Sequence, residues 1–204
     1  EAGERVGLIG RTGAGKSTVA KLLAGYIEPQ EGNVFLDNFA LSSIPASELH
    51  RSIGYVPQDS FFFSDTIQNN ILLDNDPVDD DVFQRAIEVS GLNLVLHQTG
   101  QGLDMQVGEN GCRLSGGQKQ AISLARTLVR NPSVLIFDEP TTGMDNVLEN
   151  KIKTAMAEYL EGRTFVMVTH RTTLLPLVDR LILLDGGKVV ADGPRDDVIK
   201  RIAS

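Results

Sequence analysis

The stretch that decides the fold reads Gly10-Arg11-Thr12-Gly13-Ala14-Gly15-Lys16-Ser17-Thr18. It follows an apolar run, residues 5–9, and matches the pattern G-x-x-x-x-G-K-[ST] between a strand and a helix. Its glycines let backbone N–H groups converge on phosphate oxygens, and the helix N-terminus adds partial positive charge. We therefore predict a nucleotide site in which Lys16 reaches the β- and γ-phosphates, Ser17 binds Mg²⁺ and Thr18 binds the α-phosphate.

Strand-like and helix-like segments alternate along the rest of the chain. The apolar runs predicted as strands are residues 5–9, 34–36, 53–56, 134–137, 165–168 and 181–184. Helical patterns begin after Gly15, near Ala46, Val78, Asn146 and Arg195, and at Ser115. Because the 134–137 run is continuously apolar, it is typical of a strand buried on both faces of a parallel sheet. The turn at residues 185–188 predicts a C-terminal hairpin, so we expect an α/β fold with a mostly parallel sheet.

Composition and charge bound the class of protein. The chain has 204 residues, of which 41% are hydrophobic and 23% charged, as in ordinary globular domains. The net charge of −8 argues against binding to nucleic acid or anionic lipid through bulk charge. The single cysteine, Cys112, cannot form an internal disulfide, which fits a reducing compartment. No apolar run is long enough to span a bilayer, and the start at Glu1 suggests a fragment of a longer protein.

Residues 61–128 differ from the flanking sequence because they lack convincing long strands. We predict that they form a mostly helical subdomain inserted into a core made of residues 1–60 and 129–204. Five aspartates between positions 74 and 81 could bind a metal ion. Acids that lead into a helix are more typical of a solvated loop and a helix N-terminus, where they complement the helix dipole.

A pair of acids, Asp138 and Glu139, follows the most apolar of the predicted strands. In α/β sheets, ligand sites lie at the C-terminal ends of the strands, which is where Asp138 falls. Asp138 can hold Mg²⁺, and Glu139 can polarise an attacking water as a general base. Taken alone, the pair could simply cap the next segment. A phosphate loop, however, needs a magnesium-binding acid, and this pair supplies one.

A second glycine-containing helix start reads Leu114-Ser115-Gly116-Gly117-Gln118. Ser115 can cap this helix, and the two glycines leave its N-terminus open to an anion. An ordinary capped helix would not explain a second phosphate-type site in one small domain. The pentamer resembles the signature motif of ATP-binding cassette (ABC) ATPases. In that family the signature of one subunit closes over ATP held by the other, which implies a homodimer around two Mg-ATP molecules.

Three further positions match landmarks of that family. Gln58 corresponds to the Q-loop glutamine, which implies contacts with Mg²⁺ and the attacking water. His170 corresponds to the switch histidine that bonds the γ-phosphate. Asp145 corresponds to the D-loop aspartate, although residues 142–145 read Thr-Gly-Met-Asp instead of the more usual Ser-Ala-Leu-Asp. The resemblance thus implies a catalytic set of Glu139, His170, Gln58 and Lys16, and a metal set of Ser17, Gln58 and Asp138.

One part of the family's pattern has no counterpart. ABC ATPases normally carry an aromatic residue that stacks on adenine, on a strand before the phosphate loop. Only nine residues precede Gly10 and none of them is aromatic. We interpret residues 1–204 as a single ABC ATPase domain from which this strand is missing. Either the chain was cut after the strand, or adenine binding is weak.

Two segments resemble exporters rather than importers. Residues 63–71, which follow the Gln58 segment, resemble the exporter segment that contacts the coupling helices of the membrane domain, with Asp65 where exporters usually have glycine. Residues 107–111 resemble the exporter X-loop that precedes the signature. This likeness implies transmembrane domains as partners, fused N-terminally to the ATPase domain.

Three shorter strings, residues 144–146, 169–171 and 190–194, are similar to the ATPases of type I protein secretion, which export toxins or adhesins from Gram-negative bacteria. That likeness implies a place at the cytoplasmic face of the bacterial inner membrane. It also implies a periplasmic adaptor and an outer-membrane channel as further partners, and no nucleic acid.

We therefore expect the motor domain of an ABC exporter that binds and hydrolyses ATP with Mg²⁺. Lipid, drug or peptide export is the alternative to protein export. A soluble ABC ATPase would typically carry a coiled-coil insertion or tandem cassettes, and this chain shows neither. A regulatory cassette that binds ATP without hydrolysis would usually lose the glutamate or the histidine, and both Glu139 and His170 are present.

Overall fold

A computed structural model describes residues 1–73 and 77–203. The strands are β1 (Arg5–Gly10), β2 (Phe35–Leu36), β3 (Phe39–Ala40), β4 (Ile53–Val56), β5 (Val134–Asp138), β6 (Thr164–Val168), β7 (Arg180–Asp185) and β8 (Lys188–Pro194). The helices are α1 (Lys16–Leu23), α2 (Ala46–Ser52), α3 (Ile67–Leu72), α4 (Asp80–Val89), α5 (Leu92–Thr99), α6 (Gly116–Leu128), α7 (Asn146–Tyr159) and α8 (Arg195–Ala203). Among the described residues, no helix combines the length and the apolar character needed to cross a membrane.

The chain divides into two compact units. The sheet unit comprises Glu1–Tyr55, Pro132–Glu139 and Gly162–Ser204. The helical unit comprises Val56–Asn131 and Pro140–Glu161. The helical unit therefore includes α7 as well as the region around residues 61–128. The predicted limits of an inserted subdomain at residues 61 and 128 stay a prediction.

A six-stranded sheet has the order β4-β5-β6-β1-β7-β8. Strand β1 runs parallel to β6 and β7, and β5 runs parallel to β6, while β7 and β8 form an antiparallel hairpin. The predicted α/β fold with a mostly parallel sheet is confirmed. In register, Val168 lies opposite both Leu8 and Asp138, so β1, β5 and β6 end at the same edge. The loops that follow these three strands therefore start side by side.

The core of the sheet unit lies where α1 and α2 pack on the sheet. Eight buried apolar residues form it: Leu8, Ala20, Ala24, Leu41, Leu49, Ile53, Ile136 and Val168. On the neighbouring strands, the buried rings of Phe137 and Phe165 meet edge to face, 5.2 Å between centroids. Burying a side chain of this size stabilises the fold by roughly 1.5–3 kcal/mol. Ala20 of α1 and Leu8 of β1 both belong to the eight-residue cluster, so this cluster packs α1 on the sheet.

Helix α6 is the centre of the helical unit, and α3, α4 and α5 pack around it. Most of its residues are buried, with Ile122, Leu124 and Ala125 fully so. Helix α4 begins as expected in the acidic stretch, since Asp79 accepts a hydrogen bond from the Asp81 amide. Two acids of that stretch, at positions 74 and 76, lie outside the described residues.

Candidate active site

The predicted phosphate loop connects β1 to α1 in the sheet unit. The Lys16 ammonium donates to the carbonyl oxygens of Gly10 (2.9 Å) and Arg11 (3.0 Å), so the loop curls around the amine. Gly15 precedes the helix in the left-handed region, with φ 98°, where a glycine is favoured. No described side chain caps α1, and no acid stands in its first turn. Its first N–H groups and its positive dipole end therefore fit a phosphate group.

Asp138 ends β5 and is almost wholly buried, with 1% of its surface exposed. The Ser17 hydroxyl hydrogen-bonds its carboxylate. Its Oδ1 atom has no hydrogen-bond partner among the described residues. Burial raises the pKa of Asp138, and the Ser17 bond offsets this only in part. A buried carboxylate with one oxygen open beside a serine hydroxyl is a donor set that fits Mg²⁺.

Glu139 has φ 52°, a left-handed conformation that is uncommon outside glycine. Its N–H donates to the Val168 carbonyl across the strand ends, at 2.9 Å. Its Oε1 lies 3.1 Å from Nδ1 of His170, whose side chain is 64% exposed. In this conformation the Glu139 carboxylate contacts the histidine. A strained conformation held at a strand end is a recognised mark of a functional residue.

The signature residues begin α6 in the helical unit. Ser115 and Gln118 form a capping box, in which Ser115 Oγ accepts from the Gln118 amide and Gln118 Oε1 accepts from the Ser115 amide. Leu114 is buried. A Cβ atom on Gly117 would lie 3.1 Å from the Gly143 carbonyl oxygen, so no larger residue fits without a shift. The signature glycines therefore permit a close backbone contact within this unit.

Gln58 and Asp145 also belong to the helical unit. Asp145 caps α7, because its Oδ1 accepts from the amides of Val147 and Leu148, both at 2.9 Å. The Gln58 side chain is exposed, while its carbonyl accepts from Nε2 of Gln120 at 2.8 Å. The cap is a structural role that the structure adds for Asp145, and its D-loop role stays a prediction.

The sheet unit brings together four parts of the predicted site: the loop of residues 10–18, Asp138, Glu139 and His170. The helical unit holds the signature, Gln58 and Asp145. Sequence reasoning missed Gly143, whose backbone at φ 78° packs on the signature glycines. The sequence did offer a sign, because Gly143 stands where the D-loop of ABC ATPases usually has alanine.

The family of this chain follows from its similarity to known sequences. The sequence profile described as ABC transporter matches residues 1–142. The chain belongs to the ABC transporter family. The predicted recognition as an ABC nucleotide-binding domain is confirmed, and domains of this family bind ATP with Mg²⁺ and hydrolyse it.

Curated relatives are exporter-type ABC proteins. The ATP-dependent lipid A-core flippase of Neisseria gonorrhoeae is 35% identical over 97% of this chain and 32% of its own length. The ATM1-type heavy metal exporter of Novosphingobium aromaticivorans is 36% identical over 98% of this chain and 33% of its own. The mitochondrial iron-sulfur clusters transporter of Homo sapiens is 35% identical over 94% of this chain and 26% of its own.

A solved structure shows the same domain. The structure of a bacterial Atm1-family ABC exporter with ATP bound superimposes with a TM-score of 0.90 at 36% identity, covering 98% of this chain and 35% of that one. The chain thus spans about a third of the length of these bacterial relatives. Homology to the ATPase domain of exporters is confirmed, and the narrower likeness to type I secretion stays a prediction.

Proposed function

We propose that this chain is the ATP-hydrolysing motor domain of an ABC exporter. The proposal is based on one edge of the sheet, where three features lie close together. These are the open start of α1 with its inward-folded Lys16, the buried Asp138 with an open oxygen, and the Glu139–His170 pair at 3.1 Å. Together they supply a phosphate cradle, a metal ligand and a base, which are the parts that phosphoryl transfer to water needs.

The residues of this edge divide the proposed reaction among them. The α1 amides and Lys16 would bind the phosphates of ATP, and Ser17 and Asp138 would hold Mg²⁺. The family resemblance adds Gln58 to this metal set. Bound Mg²⁺ supplies positive charge to the phosphate oxygens. Glu139 accepts the proton of the attacking water. His170 would contact Glu139 through Nδ1 and the γ-phosphate through its other ring nitrogen.

A second copy of the chain completes the site in this proposal. The start of α6, with Ser115 and two glycines, would approach the γ-phosphate bound by the other copy, and by symmetry the reverse. Asp145 lies in the loop that packs on this signature, since Gly143 contacts Gly117. Dimer formation would then depend on ATP, because the nucleotide fills the interface and its hydrolysis removes the bridging phosphate.

The partners beyond the second copy are proposed from the relatives. The names "exporter" and "flippase" support membrane domains as partners and a place at the cytoplasmic face of the bacterial inner membrane. Protein export by type I secretion, with a periplasmic adaptor and an outer-membrane channel, is supported only by the short strings at residues 144–146, 169–171 and 190–194. The names of the relatives favour a lipid or a metal complex as cargo instead.

The test is magnesium-dependent ATP hydrolysis by the purified chain over a range of protein concentrations. We expect the rate per molecule to rise with concentration, since each site needs two copies. Glu139→Gln should keep ATP binding and lose turnover by about 100-fold or more, because a general base contributes at least this much. The matched control is Glu28→Gln, which changes an exposed glutamate of the sheet unit.

Two results would count against the proposal. Unchanged turnover in Glu139→Gln would exclude this residue as the base. A turnover per molecule that does not depend on protein concentration would exclude the shared site.

A further inference from the structure

One row of polar side chains on α6 contacts residues 58–61. The row is Gln120, Ser123 and Arg126, spaced three residues apart and hence on one side of the helix. Gln120 Nε2 donates to the Gln58 carbonyl at 2.8 Å. Ser123 Oγ and Ser60 Oγ share a hydrogen bond of 2.6 Å.

The third member of the row makes the most contacts. The Arg126 guanidinium donates to the Phe61 carbonyl at 2.9 Å through NH1, and to the Asn70 carbonyl at 2.7 Å through Nε. It also lies over the ring of buried Phe62, 5.1 Å from the centroid. Arginine suits this position because its planar fork donates in several fixed directions at once.

The order of these contacts matches the geometry of the two segments. Positions 120, 123 and 126 meet positions 58, 60 and 61 in the same chain direction. Six residues of helix rise by about 9 Å, and three residues of extended chain span at most about 10 Å. The two segments can therefore stay in step over the whole row.

Asn70 extends the same network to Phe63 and Thr66. It is fully buried, and its Oδ1 accepts from the Phe63 amide at 2.9 Å while its Nδ2 donates to the Phe63 and Thr66 carbonyls. Arg126 NH2 also donates to this Oδ1, at 3.3 Å. Residues 58–63 form no helix or strand, so these side chains satisfy backbone groups that a ladder would otherwise pair.

We propose that Gln120, Ser123 and Arg126 are positioning residues that fix the Gln58 segment to the helix that starts at the signature. A displacement of the Ser115 end of α6 then carries Gln58 with it. The consequence for turnover rests on the proposed function, because it assumes that Gln58 acts at the magnesium site. The attachment itself does not depend on that assumption, since all its contacts lie within the helical unit.

The experiment measures amide hydrogen exchange of the full chain, together with ATP affinity and turnover. Arg126→Lys keeps the charge but loses the fork, and Ser123→Ala removes one hydrogen bond with little change in volume. We expect exchange in peptides covering residues 57–66 to rise about tenfold in Arg126→Lys and less in Ser123→Ala, as lost charged and neutral hydrogen bonds predict. Turnover should fall about tenfold in Arg126→Lys, while the affinity for ATP, held by the Lys16 loop, stays unchanged.

The control is Arg85→Lys, which alters an arginine of the same unit that lies over the Tyr159 ring instead. It should leave exchange in residues 57–66 as in the wild type. Unchanged exchange there in both Arg126→Lys and Ser123→Ala would overturn the positioning role. A rise in exchange throughout the chain, with a parallel fall in ATP affinity, would also overturn it, because a general loss of stability gives that result. Faster exchange with no hydrolysis by the wild-type chain would support the attachment and overturn the proposed function.

Discussion

Two helices of this chain begin with glycines and a hydroxyl residue, yet their first turns differ. Helix α1 starts after Gly15 with no described side chain on its first amides, and its lysine folds back onto the loop. Helix α6 starts after Ser115 inside a complete capping box. One start presents unpaired N–H groups, while the other has already paired two of its own.

The two helix N-termini therefore differ in how readily each can bind an anion without help from another molecule. An uncapped start in a curled loop is preorganised for an anion, because no internal bond has to break. A capped start is a stable end of a helix, and an anion brought by another molecule has to share or replace its cap. We therefore expect the α1 start to bind ATP in a single copy, and the α6 start to act only when a second copy brings a phosphate to it.

The largest effect is expected from removing the lysine at the start of α1. Lys16→Ala removes the ammonium that the loop surrounds, so ATP affinity of the chain should fall about 100-fold, as expected for a charged hydrogen bond to phosphate. Equilibrium binding of a fluorescent ATP analogue measures it. Lys200→Ala, at an exposed lysine of α8, should bind as the wild type does. Wild-type affinity in Lys16→Ala would contradict the phosphate assignment of the loop.

Two substitutions of Ser115 distinguish its role as a helix cap from a contact with an anion at the start of α6. Ser115→Ala should lower the free energy of unfolding by about 1 kcal/mol through the lost cap, and turnover about tenfold. Ser115→Asp should keep the stability, because aspartate caps as well as serine does, yet lower turnover further, because a carboxylate repels the γ-phosphate. Chemical unfolding and steady-state hydrolysis are the two measurements.

The contrast between the two variants is the sharp result here. ATP affinity at low protein concentration should be unchanged in both, because the Lys16 loop binds the nucleotide alone. If Ser115→Asp hydrolyses ATP at the wild-type rate, the α6 start does not face a phosphate, and its capping box is structural only.

The smallest effect concerns the open oxygen of Asp138. Burial raises the pKa of this carboxyl above its unfolded value, so the folded protein holds the proton more tightly. The stability from that proton is fully present below the unfolded pKa and is lost as pH rises through the folded pKa. At neutral pH without Mg²⁺, Asp138→Asn should therefore raise the free energy of unfolding by about 1 kcal/mol, since a charge with an unpaired oxygen is removed.

The pH profile is what identifies the cause. The gain from Asp138→Asn should shrink as pH falls toward the ordinary carboxyl value of about 3.9. Asp185→Asn, at an exposed aspartate that ends β7, is the control for removing a carboxylate from the surface. A gain that is equal at all pH values would mean that the unfavourable burial of this carboxylate is not its source.

Sequence patterns predicted much of this fold because the signals are local. The apolar runs at residues 53–56 and 134–137 became β4 and β5, and the helix starts at Ser115 and Asn146 became those of α6 and α7. The run at residues 34–36 became β2, whereas its hairpin partner β3 was missed, because a two-residue strand is too short to show a period of two. Helices α3 and α5 were expected only as part of a helical region, since their six and eight residues give little periodicity.

The candidate site divides in the same way. Sequence alone predicted the chemistry of the phosphate loop, the acids after β5 and the signature, because each is a short motif whose residue types and spacing already require a particular contact. Tertiary structure decided the rest, because it depends on groups far apart in sequence. Strand register brought His170 within 3.1 Å of Glu139, burial left one oxygen of Asp138 open, and the packing of α6 joined Arg126 to Phe61. No local pattern could carry these distances, since each is set by how whole strands and helices pack.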